Sequence, residues 1–178
     1  MVNNVPLSHF LSWSNDNIYK SKHLPRSLPF DYFNSGIAFN KMDSLAGNKN
    51  QIFQNWLSHP AYDSYWKSMV PTPEEYAKIN IPILTTTGYY DGSQIGAMQY
   101  FKLHTKYNKN ANHYFVIGPY DHWGGQRKPA KNLMGYEIDS VANINMMNLA
   151  YDWLDYILKD KPKPEILKDR VNYQVMGT

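Results

Sequence analysis

Ile81-Pro82-Ile83-Leu84-Thr85-Thr86-Thr87-Gly88-Tyr89-Tyr90-Asp91-Gly92 is the stretch that decides the fold class. Its apolar and β-branched run, bounded by Gly88, predicts a strand buried on both faces, as in a parallel sheet. Ser93 is placed to N-cap a helix running from Gln94 to about Tyr107, with Ile95, Met98 and Phe101 at near-helical spacing. A polar turn at Asn108 to Asn112 leads to a second buried strand, Tyr114-Phe115-Val116-Ile117, which Gly118-Pro119 is expected to stop. After a polar loop, Asn143 to Leu158 sets Met146, Met147, Ala150, Trp153, Leu154 and Ile157 on one face of an amphipathic helix ended by Pro162 and Pro164. Strand, helix, strand, long loop, helix is the order of an α/β unit with parallel strands.

Upstream the texture differs. Pro25, Pro29, Pro60, Pro71 and Pro73 interrupt short apolar groups such as Ile52-Phe53-Trp56-Leu57, which predicts short helices joined by ordered loops, with a further helical turn at Glu74 to Lys78. Downstream, Val171-Asn172-Tyr173-Gln174-Val175-Met176 alternates as a new strand. No later segment is available to pair with it, so the expectation is that the chain is a piece of a larger protein. The 178 residues are enough for one domain, and 43% hydrophobic with 15% aromatic residues excludes a disordered or fibrous chain.

The composition excludes further classes. The net charge of +3 comes from scattered Lys and Arg, and the densest run, Lys159 to Lys163, is interrupted by Asp160 and Pro162, so nucleic acid is not an expected partner. Without cysteine there are no disulfides, thiolate metal sites or cysteine nucleophiles, and the compartment stays open. No stretch approaches the roughly 20 apolar residues of a membrane span, and MVNNVPLSHF lacks the basic start and apolar centre of a signal peptide. The six histidines form no pair at zinc-site spacing, so neither a metal nor a cofactor is expected.

In open α/β sheets, catalytic groups gather just beyond the carboxyl ends of the strands. Two polar signatures stand there: Gly88-Tyr89-Tyr90-Asp91-Gly92, and Gly118-Pro119-Tyr120-Asp121-His122-Trp123-Gly124. An acid after one strand and a histidine after the next follow the chain order of the later members of an α/β-hydrolase triad. In such a pair the carboxylate holds the histidine Nδ1–H and leaves Nε2 to take a proton from a serine hydroxyl. Taken singly, Asp91 also fits an Asx turn and His122 a structural histidine. Asp121 is the competing acid, disfavoured because an immediate neighbour usually points away from the next side chain. Tyr90, Tyr120 and Trp123 flank these loops and are candidates to line a substrate pocket. His59, Asp63 and Trp66 fit packing at a domain junction better than substrate contact.

His59-Pro60-Ala61-Tyr62-Asp63-Ser64-Tyr65-Trp66, Ile81 to Leu84, Gly88 to Gly92 and Ile117 to His122 together resemble the successive landmarks of the CocE/NonD hydrolases. That family takes in cocaine esterase, α-amino acid ester hydrolases, glutaryl-cephalosporin acylases and X-Pro dipeptidyl-peptidases. The resemblance is close over residues 55 to 178 and loose over the first fifty. It implies the C-terminal part of an α/β-hydrolase fold, with 1-75 part of a helical cap, 76-168 the hydrolase domain and 169-178 the first strand of a truncated jelly-roll domain. It also implies Asp91 as triad acid, His122 as base, and a small-molecule ester or amide substrate from a periplasmic or secreted parent.

The family's nucleophile lies on a serine elbow upstream of the cap, and no Gly-x-Ser-x-Gly occurs in this chain. Gly92-Ser93-Gln94-Ile95-Gly96 has its serine one place early, at a helix start. The expectation is therefore a chain inactive by itself, with an exposed sheet edge, that works with an upstream segment or self-associates. Two rivals stand beside this reading: a non-catalytic α/β binding module and an interaction fragment. Gly92-Ser93-Gln94 carries no acid where α-amino ester hydrolases of the family hold an ammonium group, which favours a simple ester or an uncharged acyl group.

Overall fold

The computed structural model describes residues 7–19 and 23–176. The N-terminal MVNNVP of the MVNNVPLSHF stretch and Gly177, at the end of the expected last strand, lie outside the described residues. The chain divides into two compact units, one reaching Val70 and one starting at Pro71.

The first unit is built of short helices: α1 (Leu7–Ser14), continued by a π-helical turn over Asn15–Tyr19, then α2 (Leu28–Ser35), α3 (Met42–Leu45), α4 (Gln51–Ser58) and α5 (Ser64–Lys67). Leu11, Leu28, Met42 and Phe53 make its core, with Leu24, Tyr32, Phe39, Ala46 and Leu57 packed around them. Asn50 both starts α4 and ties it down. Its Oδ1 accepts the Phe53 N–H at 2.9 Å and its Nδ2 donates to Ser14 Oγ at 2.8 Å. The buried Asp43 carboxylate accepts the N–H groups of Ser44 and Asn50 at 2.8 and 2.9 Å, so these interior polar groups are all hydrogen-bonded.

The second unit opens with α6 (Pro73–Ala77), whose first turn is closed by a reciprocal capping box between Thr72 and Glu75. A parallel sheet follows, with strands β1 (Ile83–Tyr90), β2 (His113–Asp121) and β5 (Val171–Tyr173) in that spatial order. Helices α7 (Gln94–Tyr107) and α8 (Met146–Lys159) connect them, and a small hairpin, β3 (Asn132–Leu133) with β4 (Tyr136–Glu137), interrupts the loop before α8. Val116, Tyr120, Met146, Leu149 and Leu167 form the core between the sheet and α8. On the other side, Phe101 of α7 packs against Phe115 at 5.2 Å and His113 at 4.9 Å between ring centroids. Cover on both faces is what the two apolar strands require.

Several details depart from the sequence expectation. Strand β2 does not stop at Gly118-Pro119 but runs on to Asp121. Pro119 lies beyond the last pair with β5, Ile117↔Tyr173, so its missing N–H leaves no ladder bond unmade on that side. The buried face of α7 is not Ile95 and Met98, which are exposed, but the stripe that carries Phe101 and the fully buried His104. On α8, Leu149 is buried while Met147 and Leu154 face outward. The expected last strand forms over Val171–Tyr173 and adds to the α/β sheet as its third member.

His104 and His113 form a buried relay whose proton positions follow from its ends. His104 Nε2 lies 2.9 Å from the Ile79 carbonyl, which only accepts, so this nitrogen carries the proton and Nδ1 is the acceptor. His113 Nδ1–H therefore donates to His104 Nδ1 at 3.0 Å, and His113 Nε2 accepts the Thr85 hydroxyl at 2.8 Å. With both rings neutral, this is the arrangement of protons that satisfies every ring nitrogen. Burial, with the neighbouring His104, holds His113 down at about 4 from its ordinary value of 6.5. The folded state thus excludes a proton that the unfolded chain binds. Stability from this site is complete above 6.5 and is lost as pH falls from there toward about 4. The loss should amount to about 3 kcal/mol. In denaturant titrations across that window, His113→Gln should show a distinctly shallower pH dependence than the parent, and parallel curves would contradict the relay.

Candidate active site

The site is made where β1 and β2 end, and its geometry follows from one irregularity in their pairing. From Ile83↔His113 to Gly88↔Gly118 the strands run in step, and then Tyr90 pairs with Asp121. Strand β2 has advanced by one residue more than β1, a bulge at Pro119-Tyr120. In unbroken register Asp91 would stand level with Asp121. With the extra residue it stands level with His122, and parallel neighbours at one level share a face of the sheet.

Tyr120 is the residue that makes room for this step. It is fully buried, its ring lies over Gly118 and its backbone against Gly88, where an added Cβ would sit 1.9 Å from the Tyr120 carbonyl oxygen. Its hydroxyl donates to the Ala142 carbonyl at 2.8 Å, and burial pushes its titration well above the ordinary tyrosine range. The side chain of Tyr120, expected from sequence to line a substrate pocket, is buried in the core that supports the bulge.

The acid and the histidine expected from sequence do come together. His122 Nδ1 lies 3.2 Å from Asp91 Oδ1. The same oxygen accepts the Ser93 N–H at 2.9 Å and the Ser93 hydroxyl at 2.7 Å. Burial pushes the Asp91 carboxyl upward, but the Ser93 N–H, the Ser93 hydroxyl and His122 outweigh it and hold the group below the usual carboxylate value. Asp91 is therefore an anion in an enclosed position, whereas the His122 side chain is 57% exposed. Ser93 occupies the N-cap position of α7 without capping it, because its hydroxyl is turned back onto Asp91.

Asp121 points elsewhere. Its Oδ1 accepts the N–H groups of Trp123 and Gly124 at 3.1 and 2.7 Å, and so shapes the turn that presents His122. That turn is fastened to β1 by Thr86, whose hydroxyl donates to the Gly125 carbonyl at 2.6 Å. Gln126 then reaches back, its Nε2 3.2 Å from His122 Nε2 and 2.9 Å from the His122 carbonyl oxygen. Trp123 is exposed beside His122, ring centroids 5.4 Å apart, with the Arg127 guanidinium over its indole at 4.5 Å. Tyr90 is exposed and turns its hydroxyl toward Met176 Sδ at 3.7 Å. The roles of Thr86, Ser93 and Gln126 were missed from sequence. For Gln126 the available signal was its place four residues after His122.

His59, Asp63, Tyr65 and Trp66 hold one another within the first unit. His59 Nδ1 lies 2.6 Å from Asp63 Oδ2, its ring stacks on Tyr65 at 4.2 Å, and Trp66 Nε1 donates to the His59 carbonyl at 2.7 Å. Among the described residues no group of three or more His, Asp or Glu side chains could hold a metal ion, and no helix is long and apolar enough to cross a membrane.

Two sets of variants test this construction. Gly88→Ala should cost about 3 kcal/mol by forcing the Tyr120 backbone aside, with loss of the Asp91–His122 pairing in histidine NMR spectra; a variant of parental stability would refute the close approach. Thr86→Val should cost about 1 kcal/mol by freeing the turn, whereas Thr87→Val should stabilise by a similar amount. The Thr87 hydroxyl is buried with no hydrogen-bond partner among the described residues. Equal effects of the two substitutions in equilibrium unfolding would overturn the assignment.

No curated protein matches the chain. The family model of X-Pro dipeptidyl-peptidase (S15 family) matches residues 7–124, more than half of the chain. The matched span includes Asp91 and His122 and reaches into the first fifty residues, where the sequence resemblance was loose. On this match the chain belongs to the X-Pro dipeptidyl-peptidase (S15) family, a family of hydrolases.

Proposed function

We propose that the chain supplies the acid and base of a serine hydrolase of the CocE/NonD type, which cleaves carboxylic esters or amides through an acyl-enzyme. The observation that carries this reading is the His122 Nδ1 to Asp91 Oδ1 contact of 3.2 Å, with the acid enclosed and the base open to solvent. Catalytic hydrogen bonds are often this long before substrate arrives. In the proposed reaction His122 Nε2 takes the proton of a serine hydroxyl as its oxygen bonds to the substrate carbonyl carbon. The imidazolium then returns that proton to the departing alcohol or amine as the carbon–heteroatom bond breaks, and water repeats the sequence to release the acid. Asp91 stays ionised throughout, holding the ring and balancing the imidazolium charge.

The serine comes from outside these 178 residues in this proposal. Ser93, whose Gly92-Ser93-Gln94-Ile95-Gly96 setting comes nearest to a serine elbow in this chain, directs its hydroxyl to Asp91. Tyr90 and Trp123, both exposed beside the pair, are the proposed substrate contacts. Gly92-Ser93-Gln94 provides no carboxylate for an ammonium group, so the acyl group is proposed to be uncharged.

A second reading, an interaction module without chemistry, is favoured by α8. Its Met147, Tyr151, Leu154 and Leu158 form an exposed apolar stripe at helical spacing, and β1 pairs on one side alone among the described residues. A monomer by sedimentation at high concentration would count against self-association through these surfaces.

The first reading is tested by joining the chain to a segment that carries a Gly-x-Ser-x-Gly elbow and probing with a fluorophosphonate. Serine labelling should fall by about a thousand-fold or more in His122→Ala, and the 178-residue chain by itself should not label. Undiminished labelling in His122→Ala would rule the base assignment out.

A further inference from the structure

The contact between Gln126 and His122 has a definite polarity. A carbonyl oxygen only accepts, so the Gln126 atom 2.9 Å from the His122 carbonyl must be the amide nitrogen. That nitrogen has a second hydrogen, and it lies 3.2 Å from His122 Nε2. A ring nitrogen that faces an N–H donor must offer its lone pair. The ring proton is then on Nδ1, directed at Asp91 Oδ1. Both ends of the imidazole are specified, one by an acceptor and the other by a donor.

The backbone keeps this arrangement in reach while leaving the side chain free. Gln126 N–H donates to the Trp123 carbonyl at 3.1 Å, and the preceding residue is held by Thr86 at its carbonyl and by Asp121 at its N–H. The Gln126 residue itself is exposed. It can therefore leave by rotating about its side-chain bonds, with no core to disturb.

We propose that Gln126 is a positioning residue for His122: its carboxamide keeps the ring in the Nδ1–H tautomer and covers the Nε2 lone pair, in the place a nucleophile's hydroxyl would take. This rests on the reading of His122 as a general base. A serine O–H that arrives at Nε2 exchanges one donor for another, and the ring has no tautomeric change to make before it takes the proton. While the carboxamide is seated, the lone pair is less available to any electrophile.

The test uses the chain as it is. Diethyl pyrocarbonate acylates the neutral ring nitrogen through its lone pair, and peptide mass spectrometry gives the rate at His122 relative to an internal reference. His23 serves as that reference, since its side chain is 89% exposed and its Nδ1 likewise faces a carboxylate, Asp16 Oδ2 at 3.2 Å. Gln126→Ala should raise the His122 to His23 ratio by about five-fold, the scale of one hydrogen bond. Gln126→Glu should lower the ratio below that of the parent, because a carboxylate accepts from Nε2–H and favours the imidazolium.

An unchanged ratio in Gln126→Ala, or equal rises in both variants, overturns the proposal, the second because it shows only steric relief. Imidazole 15N spectra of the parent separate the two levels of the argument. A Nε2–H tautomer there sinks the general-base reading itself. A Nδ1–H tautomer with an unchanged ratio sinks only the role of Gln126.

Discussion

The one-residue excess of β2 over β1 beyond Gly88↔Gly118 is the constraint on which the site depends. Side-chain direction in a strand has a period of two, so a single inserted residue reassigns every neighbour after it. Here it replaces an Asp91–Asp121 juxtaposition, two carboxylates, by Asp91 and His122. The insertion is stable because Tyr120 is driven into a space that Gly88 and Gly118 leave empty and its hydroxyl finds the Ala142 carbonyl. Packing deep in the sheet and the pairing of Asp91 with His122 at its rim are thus one problem, solved by the same three residues.

Around that step the polar groups divide their work. Asp91 is held as an anion by Ser93 and His122 against the desolvation that burial imposes. Asp121, a residue of the same type thirty positions later, takes backbone N–H groups and folds the turn. What separates the two is the direction imposed by the bulge and the donors each one meets. Thr86 fastens the turn from the neighbouring strand, which keeps His122 at a fixed height above the sheet end.

The strands, α7 and the acid and histidine were legible because they rest on local patterns: β-branched runs, an unbroken helical span from Gln94 to Tyr107, and polar loops after strands. What was illegible depends on partners distant in the chain. Nothing in Thr85-Thr86-Thr87 says that the first hydroxyl meets His113, the second meets Gly125 and the third has no hydrogen-bond partner among the described residues. His104 was passed over on α7 because apolar periodicity ranks Ile95 and Met98 above a histidine. Yet a neutral imidazole with both nitrogens satisfied sits in an interior as well as a hydrocarbon does. Tyr120 reads as a loop residue because it stands between Pro119 and Asp121, and only the two glycines across from it disclose the space it fills.

The relay from Thr85 through His113 and His104 to the Ile79 carbonyl has a direction. Each group donates to the next, and the terminal carbonyl cannot be turned round, so with both rings neutral only one arrangement of protons satisfies all four. Such a one-way circuit does not tolerate piecemeal change. Replacing one histidine by an apolar residue strands the donor or acceptor of its neighbour, while replacing both in concert removes the demand altogether. These positions are accordingly expected to vary together through evolution. An engineer who grafts this strand–helix pair into another scaffold should carry Thr85, His104 and His113 across as a single block.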